Sequence, residues 1–249
     1  MLETERHEII LRLLKEKNTV KIQELVELTN SSESTIRRDL TQLEQKEYLK
    51  RVHGGAARLQ GKLQEPSMTE KSLKNPQEKQ MIAEYAAGLV EEGDSIYLDS
   101  GSTILEMIPH LPNNIVVVTN GIMNVPLLLE KNIKTYIIGG LVKPSTKAMI
   151  GRDAEKSLEH YRFDKCFIGV NGIHPQFGFT TPDQEEAAIK QHAIILSRES
   201  YVLADQSKFF EIAFAKIANL NEATIITNEL DEEVKKEYAG KTNIKVVTA

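Results

Sequence analysis

The feature that most constrains the fold is a regular alternation of helical patterns and apolar runs that starts at residue 77. Helical patterns at 77–91, 102–110 and 121–131 each precede an apolar run, and later apolar runs are separated by helices or loops. The seven predicted strands are 95–99, 115–119, 135–138, 165–170, 201–204, 224–227 and 244–247. Apolar strands separated by helices predict an α/β fold with a mostly parallel sheet that is covered on both faces.

Glycines and small polar residues follow four of these strands at their carboxyl ends, where α/β sheets bind ligands. The first strand runs into Asp99-Ser100-Gly101-Ser102-Thr103 at a helix start, where amides, hydroxyls and the helix dipole favour an anion. The other three strand ends are Thr119-Asn120-Gly121, Gly139-Gly140 and Gly169-Val170-Asn171-Gly172. Any one of them could be a helix cap or a turn, but together they predict a ligand site with a phosphate cradle.

Two later segments add charge to this prediction. Lys208 lies in Asp205-Gln206-Ser207-Lys208 after a buried strand, and it is a candidate cation for a phosphate or sugar oxygen. Asp183 opens a helix in which Glu186 and Lys190 are spaced i and i+4 on one face. For Glu186 and Lys190 the alternative is an ordinary ion pair on the surface.

The first 58 residues have a different pattern. An apolar stripe predicts a helix over 4–17, a short β-rich run follows at 20–22, and a brief helix follows at 24–28. After the turn Thr29-Asn30-Ser31, Ser32 is a good N-cap for a third helix, whose inner face carries Ile36, Leu40 and Leu43. Short helices joined by a tight turn in this way are typical of a helix-turn-helix.

The outer face of the third helix is polar and suits the major groove of DNA. It carries Ser34, Arg38 and Thr41, flanked by Thr35 and Arg37. Arg can pair with guanine, and Ser or Thr can bond phosphates or base edges. The alternative, which the helix alone leaves open, is that both arginines are solvated charges beside Asp39.

Residues 48–58 then predict a β-hairpin with basic side chains. Gly54-Gly55 supplies the positive φ of a tight turn, and Arg51 and His53 lie beside it. The hairpin resembles the wing of a winged helix-turn-helix. For His53 the alternatives are a DNA contact and a turn residue without one.

Charge and turn-forming residues divide the chain. Residues 1–58 have a net charge of +1 and the remainder −6, so the total of −5 hides a weakly basic N-terminal part. The segment 59–76 has no sustained apolar period and predicts a linker. We therefore expect a DNA-binding domain at 1–58 and a sensing domain at 77–249.

The start of the chain and the lengths of its apolar runs predict a soluble, cytoplasmic protein without a membrane partner. Glu3, Glu5 and Glu8 stand where a secretion signal would be basic and then apolar, and every apolar run is too short to span a bilayer. The single cysteine, Cys166, has no partner for a disulfide or a zinc site, so we expect it in the core. We expect no metal and no cofactor.

The N-terminal motifs resemble those of DeoR-type repressors. The matching runs are Arg6-x3-Ile10-x3-Leu14, Ser32-x2-Thr35-Ile36-Arg37-Arg38-Asp39-Leu40 and Arg51-Val52-His53-Gly54-Gly55-Ala56. The resemblance implies that the third helix recognises an operator in double-stranded DNA. It also implies that Arg37 and Arg38 are the residues that matter most.

The rest of the chain is similar to the sensor domains of the same family, whose fold resembles ribose-5-phosphate isomerase. The likeness implies a phosphate held by Gly101, Ser102, Thr103 and Lys208. It places Asp99, Thr119, Asn120, Asp183, Glu186 and Lys190 nearer the sugar. The strand-end residues Gly139, Gly140, Gly169 and Asn171 complete the predicted effector site. The segment 178–190 looks closer to fructose-operon repressors of Gram-positive bacteria than to lactose or glycerol repressors, which makes fructose 1-phosphate the leading effector. Tagatose 6-phosphate and glycerol 3-phosphate are the alternatives.

The rival function is that of a sugar-phosphate isomerase with an accessory DNA-binding domain. Such isomerases resemble one another in an Arg-Glu-Lys tripeptide, whereas here Ile189 precedes Lys190, although Glu185 or Glu186 could substitute from the previous turn. An architectural DNA-binding protein would not explain the strand ends. We therefore predict a repressor without enzymatic activity that is released by a phosphorylated sugar. One helix-turn-helix covers only a half-site, so we expect a homodimer or homotetramer.

Overall fold

A computed structural model describes residues 2–17, 19–46, 48–52, 54–58 and 65–248. Contacts divide the chain into two units, Met1–Gly61 and Lys62–Ala249. Within the described ranges, no helix combines the length and apolarity that are needed to cross a bilayer.

The first unit is a winged helix-turn-helix, as predicted. Its elements are α1 (Glu3–Lys17), β1 (Thr19–Lys21), α2 (Ile22–Thr29), α3 (Glu33–Gln45), β2 (Leu49–Val52) and β3 (Gly55–Arg58). The three strands form an antiparallel sheet in the order β1-β3-β2. Helix α2 begins at Ile22, two residues earlier than predicted, because the β-rich run ends at Lys21.

Local chemistry explains the turn between α2 and α3. Asn30 adopts the left-handed conformation with φ 48°, which asparagine tolerates and which ends α2. The hydroxyl of Ser32 then accepts a hydrogen bond from the amide of Thr35 at 3.2 Å and so caps α3. Ile36 and Leu40 are fully buried, which fixes the opposite face of α3 toward solvent.

The two wing glycines have different roles. Gly54 has φ +76° and supplies the turn, as predicted. Gly55 does not have positive φ. A Cβ on Gly55 would lie 2.0 Å from the carbonyl oxygen of Val20, so this glycine allows β3 to pack against β1. The prediction of positive φ was therefore wrong for Gly55.

The second unit contains a seven-stranded sheet with helices on both faces. The strands of the second unit, seven of which form this sheet, are β4 (Ser95–Leu98), β5 (Val116–Thr119), β6 (Lys134–Ile137), β7 (Leu141–Lys143), β8 (Ala148–Ile150), β9 (Phe163–Gly169), β10 (Gly172–His174), β11 (Gly178–Thr181), β12 (Ser197–Leu203), β13 (Ala215–Ala218), β14 (Thr224–Thr227) and β15 (Ile244–Val246). Its helices are α4 (Met68–Ser72), α5 (Pro76–Ala87), α6 (Ser102–Met107), α7 (Asn124–Glu130), α8 (Arg152–Leu158), α9 (Gln184–Ile195) and α10 (Glu232–Tyr238), with short 3-10 turns at Ile108–His110, Gln206–Lys208 and Leu220–Glu222.

The large sheet is parallel throughout, in the order β15-β14-β12-β9-β4-β5-β6, which confirms the predicted α/β class. Side chains alternate between two apolar cores, one on each face. Tyr97 packs into one core, and its neighbours Ile96 and Leu98 pack into the other. The carboxyl ends of β12, β9, β4 and β5 therefore lie side by side at one edge.

Two features of the second unit differ from the sequence prediction. The antiparallel hairpin β7-β8 and the small sheet β10-β11-β13 were not predicted, because they lie outside the alternation of helices and parallel strands on which the prediction rested. Residues 65–76, assigned above to the linker, contribute α4 and the start of α5. Ser67 and Glu70 form a capping box there, and Met68 is buried, so this segment packs as part of the second unit.

Candidate functional site

The solvent-facing side of α3 presents the predicted DNA-binding residues. Ser34, Arg37 and Arg38 are exposed, and Thr35 and Thr41 are half-buried. Arg37 forms an ion pair with Glu33 at 2.6 Å, whereas Arg38 makes no hydrogen bond or ion pair with the described residues. Arg38 is thus free to meet a base edge, while Arg37 would exchange its partner for a phosphate.

The wing is fixed to the same surface. The Arg51 guanidinium donates to the hydroxyl of Thr41 at 2.9 Å, and the Arg51 amide donates to the Glu44 carboxylate at 2.7 Å. These bonds place Arg51 beside the outer face of α3. His53 lies outside the described residues.

Asp39 does not belong to this surface, although both arginines beside it in the sequence are exposed. It is fully buried and accepts from the Arg6 guanidinium at 2.7 Å on one oxygen and at 3.1 Å on the other. The pair joins α1 to α3 inside the first unit. Its role is to hold the recognition helix in place.

At the strand ends of the second unit, Asp99 is the centre of a buried group. One carboxylate oxygen, Oδ2, accepts from the Lys190 ammonium and from the amide of Gly169, the latter at 3.0 Å. The other oxygen, Oδ1, is buried without a hydrogen-bond partner among the described residues. Burial opposes the charge of Lys190, but Asp99 and Glu186 raise its pKa above the ordinary value.

Helix α9 brings Glu186 into the same region. Glu186 accepts a hydrogen bond from Thr146 at 2.6 Å, and both Glu186 and Lys190 are buried. The alternative of a surface ion pair between Glu186 and Lys190 is therefore wrong. Asp183 caps α9 by accepting from the amides of Glu185 and Glu186.

The end of β5 supplies amide and hydroxyl groups. The Thr119 hydroxyl donates to the carbonyl of Leu98 at 2.6 Å and accepts from Asn124, whose side-chain amide also donates to the Asp99 carbonyl at 3.0 Å. The side-chain oxygens of Asn120 and Asn124 are buried without partners among the described residues. Together with Asp99 Oδ1, they are three buried acceptors that can receive hydrogen bonds from hydroxyl groups.

Gly101, Ser102 and Thr103 form the start of α6, where Gly101 stands at the N-cap position. The hydroxyls of Ser102 and Thr103 make no hydrogen bond with the described residues, although both side chains are largely buried. Amides and hydroxyls at a helix start are suited to a phosphate group.

Two lysines, Lys208 after β12 and Lys79 after α4, lie near one another. No carboxylate of the described residues lies within ion-pair distance of Lys208. Burial, together with Lys71 and Lys74, lowers the pKa of Lys208, although Asp205 opposes the change. Lys79 is buried on α5, donates to the carbonyl of Lys71, and has a pKa lowered by burial, with Lys208 adding to the effect.

Sequence reasoning missed Lys79, Asn124 and Lys143. A signal existed for Lys79, because it occupies the apolar stripe of α5 three residues before the buried Ile82. Lys143 bonds to Asp183 at 2.9 Å and to Glu186 at 3.1 Å, but nothing in the pattern around it pointed to them.

The remaining predicted residues have contacts of their own. Asn171 accepts from the Thr181 hydroxyl at 3.0 Å. A Cβ on Gly140, which has φ +132°, would lie 2.7 Å from the Ile150 carbonyl, and a Cβ on Gly139 would meet open space. Gly140 thus has a packing role next to β8. Gly169 contacts Asp99 directly through its amide.

Comparison with known proteins gives matches over most of the chain. Residues 6–62 match the family described as the DeoR-like helix-turn-helix domain, and residues 74–229 match the DeoR C terminal sensor domain. The "Uncharacterized HTH-type transcriptional regulator FruR" of Bacillus subtilis is 52% identical, with 99% of each chain covered. The "Lactose phosphotransferase system repressor" of Staphylococcus aureus is 35% identical, with 98% of each chain covered.

Among solved structures, ribose 5-phosphate isomerase A from Methanocaldococcus jannaschii is similar with a TM-score of 0.41. The identity is 20%, over 55% of this chain and 56% of that one, and a likeness at this level carries no argument about activity. The two domain matches and the full-length relatives are decisive, and they agree with the winged helix-turn-helix and the parallel sheet. The chain belongs to the DeoR family, with a DeoR-like helix-turn-helix domain followed by a DeoR sensor domain.

Proposed function

We propose that the protein is a transcriptional repressor of a sugar-utilisation operon, and that a phosphorylated sugar releases it from operator DNA. The observation that carries the proposal is the uneven charge at the strand ends. Among the described residues, Lys79 and Lys208 have no paired carboxylate at one side, and lysine-bound carboxylates with unsatisfied acceptors lie at the other. A ligand with a phosphate at one end and hydroxyls at the other matches this distribution.

The proposed DNA contact is made by α3 and the wing. Ser34, Thr35 and Thr41 would bond phosphates or base edges, Arg38 would read a base, and Arg37 would bind phosphate. Arg51 and His53 would contact the duplex from the wing. Because one such unit covers a half-site, we infer a homodimer or homotetramer on a two-fold operator.

The proposed effector site joins two groups of residues. Gly101, Ser102, Thr103 and Lys208 hold the phosphate, and Lys79 adds a second buried cation. The sugar is recognised by Asp99, Thr119, Asn120, Asp183, Glu186 and Lys190. We favour fructose 1-phosphate, because the segment 178–190 resembles fructose-operon repressors and the 52% identical relative bears the name FruR. Tagatose 6-phosphate and glycerol 3-phosphate are the other sugar phosphates to test.

The rival proposal, an isomerase, needs a carboxylate that is free to take a proton from the substrate. Asp99 is bonded to Lys190, and Glu186 is bonded to Thr146 and Lys143. Each of these two carboxylates is already bonded to a lysine, so neither can accept a substrate proton without losing an existing contact. The arrangement favours binding over proton transfer.

Calorimetry and gel-shift titration of the full-length protein test the proposal. We expect fructose 1-phosphate to bind at micromolar concentration and to lower operator affinity, and we expect Lys208→Ala to reduce both effects. If another sugar phosphate does this instead, the effector assignment is wrong and the sensing role stands. If no sugar phosphate binds and Lys208→Ala changes nothing, the phosphate site itself is refuted.

A further inference from the structure

Lys143 lies where three carboxylates meet, one from residue 65 and two from the start of α9. Its ammonium forms ion pairs with Glu65, with Asp183 at 2.9 Å and with Glu186 at 3.1 Å. Its side chain is 16% exposed. Burial opposes the charge, but the hydrogen bonds from Lys143 to Glu65 and Asp183 raise its pKa above the ordinary value. One cation on β7 therefore holds two carboxylates of the proposed sugar site and one carboxylate outside it.

The carboxylate outside the site belongs to a segment that crosses the strand ends, residues 65–75, which we name the strap. Glu65 pairs with Lys71 at 2.7 Å within the strap. The amide of Met68 donates to the carbonyl of Ser145 at 3.0 Å, in the turn of the hairpin that carries Lys143. At the other end, the Asn75 side chain donates to Asp205 at 3.0 Å. The strap is thus bonded to both sides of the proposed site.

The strap is the first described segment of the second unit. Three residues, 62–64, separate Glu65 from Gly61, the last residue of the first unit. The chain leads from Glu65 toward the DNA-binding unit, so the anchorage of Glu65 sets where that connection starts.

We propose that Lys143 is a positioning residue of the sensor, an inference that rests on the proposed function. It holds Asp183 and Glu186 in place for the effector and anchors the strap through Glu65. Binding of the effector therefore changes how firmly Lys143 holds Glu65. Effector hydroxyls that donate to Asp183 or Glu186 compete with the Lys143 ammonium for the same oxygens.

The test compares Lys143→Met, Lys143→Arg and Glu65→Gln in the full-length protein. Lys147→Met, which removes an exposed lysine from the same hairpin, is the matched control. The quantities measured are the dissociation constant of fructose 1-phosphate, and the ratio of operator dissociation constants with and without it. Amide hydrogen exchange of residues 65–75 is followed without ligand, and thermal melting verifies folding.

We expect Glu65→Gln to keep effector affinity within about threefold while the operator ratio falls toward 1, a loss of at least about fivefold. Lys143→Met should lose both effector affinity and the operator ratio, and Lys143→Arg should restore them. Exchange of the strap should accelerate in Glu65→Gln and Lys143→Met but not in Lys147→Met. A purely structural role for Lys143 would not separate effector affinity from the operator ratio in Glu65→Gln.

Two results distinguish failure of this inference from failure of the proposed function. If the wild-type protein responds to fructose 1-phosphate and Glu65→Gln responds equally, the Lys143 proposal is overturned and the function stands. If the wild-type protein does not bind the sugar phosphate, the effector assignment fails. Amide hydrogen exchange of the strap then tests the anchoring role of Lys143. Unchanged exchange in Glu65→Gln then overturns the anchoring role, and accelerated exchange supports it.

Discussion

The buried ion pair between Arg6 and Asp39 allows a sharp test of what holds the recognition helix in place. Asp39 is fully buried and Arg6 is 7% exposed, and two hydrogen bonds of 2.7 and 3.1 Å join them. Asp39→Ala removes the acceptors of these two hydrogen bonds and the carboxylate charge that faces the buried guanidinium. Breaking a buried pair from one side costs about 3–5 kcal/mol.

That cost is large compared with the stability of the unit. The first unit comprises residues 1–61, and stability of roughly 0.05–0.15 kcal/mol per residue gives about 3–9 kcal/mol in total. Alanine is the better helix former, but its advantage over aspartate at this position is under about 0.7 kcal/mol. We therefore expect the DNA-binding unit to lose about a third or more of its stability in the variant, while the proposed effector site, which lies in the second unit, keeps its affinity.

Scanning calorimetry of the full-length protein, with gel-shift and effector titrations, measures both effects. Glu33→Ala is the matched control, because it also removes an α3 carboxylate that pairs with an arginine, but at the surface, where 57% of the Glu33 side chain is exposed. Such a pair contributes about 0.3–0.5 kcal/mol. If Asp39→Ala were to unfold within about 0.5 kcal/mol of the wild type, the reasoning about the buried pair would be refuted.

Three further predictions concern the proposed sites. Arg38→Ala should weaken operator binding by about 1–3 kcal/mol and relax the base preference. Arg37→Ala should weaken binding to all DNA sequences alike and make the slope of log affinity against log salt concentration shallower by about one. Unchanged gel shifts for both variants would remove α3 from the DNA contact. Lys79→Met should lower sugar-phosphate affinity at least about tenfold by calorimetry, since it removes a buried cation facing the phosphate, and equal affinity in Lys79→Met and the control Lys147→Met would exclude Lys79. A coupled assay should find no pentose-phosphate isomerase activity, and turnover of about 1 per second or more would contradict the regulatory function.

The parallel sheet could be predicted because its buried strands are continuous apolar runs. The predicted strand 224–227 coincides with β14, Thr224–Thr227. The predicted strand 201–204 covers only the end of β12, which begins at Ser197, because the first residues of β12 are polar and partly exposed. Backbone pairing with β9 extends the strand there, and a hydropathy pattern does not show that pairing.

The location of the candidate site followed from the sheet, since parallel strands bring their carboxyl ends to one edge. The partners within the site did not follow. Lys143 and Glu65 are 78 residues apart, and Asp99 and Lys190 are 91 apart, so only the folded chain shows which cation meets which carboxylate. The strap was missed for a related reason, because a five-residue helix held by a capping box and one buried methionine has no period to detect.

The charge pattern of the proposed site assigns different tasks to the two ends of the ligand. Asp99, Asp183 and Glu186 already have lysine partners, so sugar hydroxyls that bond to the lysine-held oxygens would exchange existing bonds and gain little net free energy. Lys79 is buried and Lys208 is half-buried, and burial lowers the pKa of both, so an arriving dianion would relieve an unfavourable charge without displacing a paired carboxylate of the described residues. On the proposed function, the phosphate would supply most of the affinity. The sugar would supply selectivity and, by competing for the carboxylates that Lys143 holds, it would supply the signal to the strap.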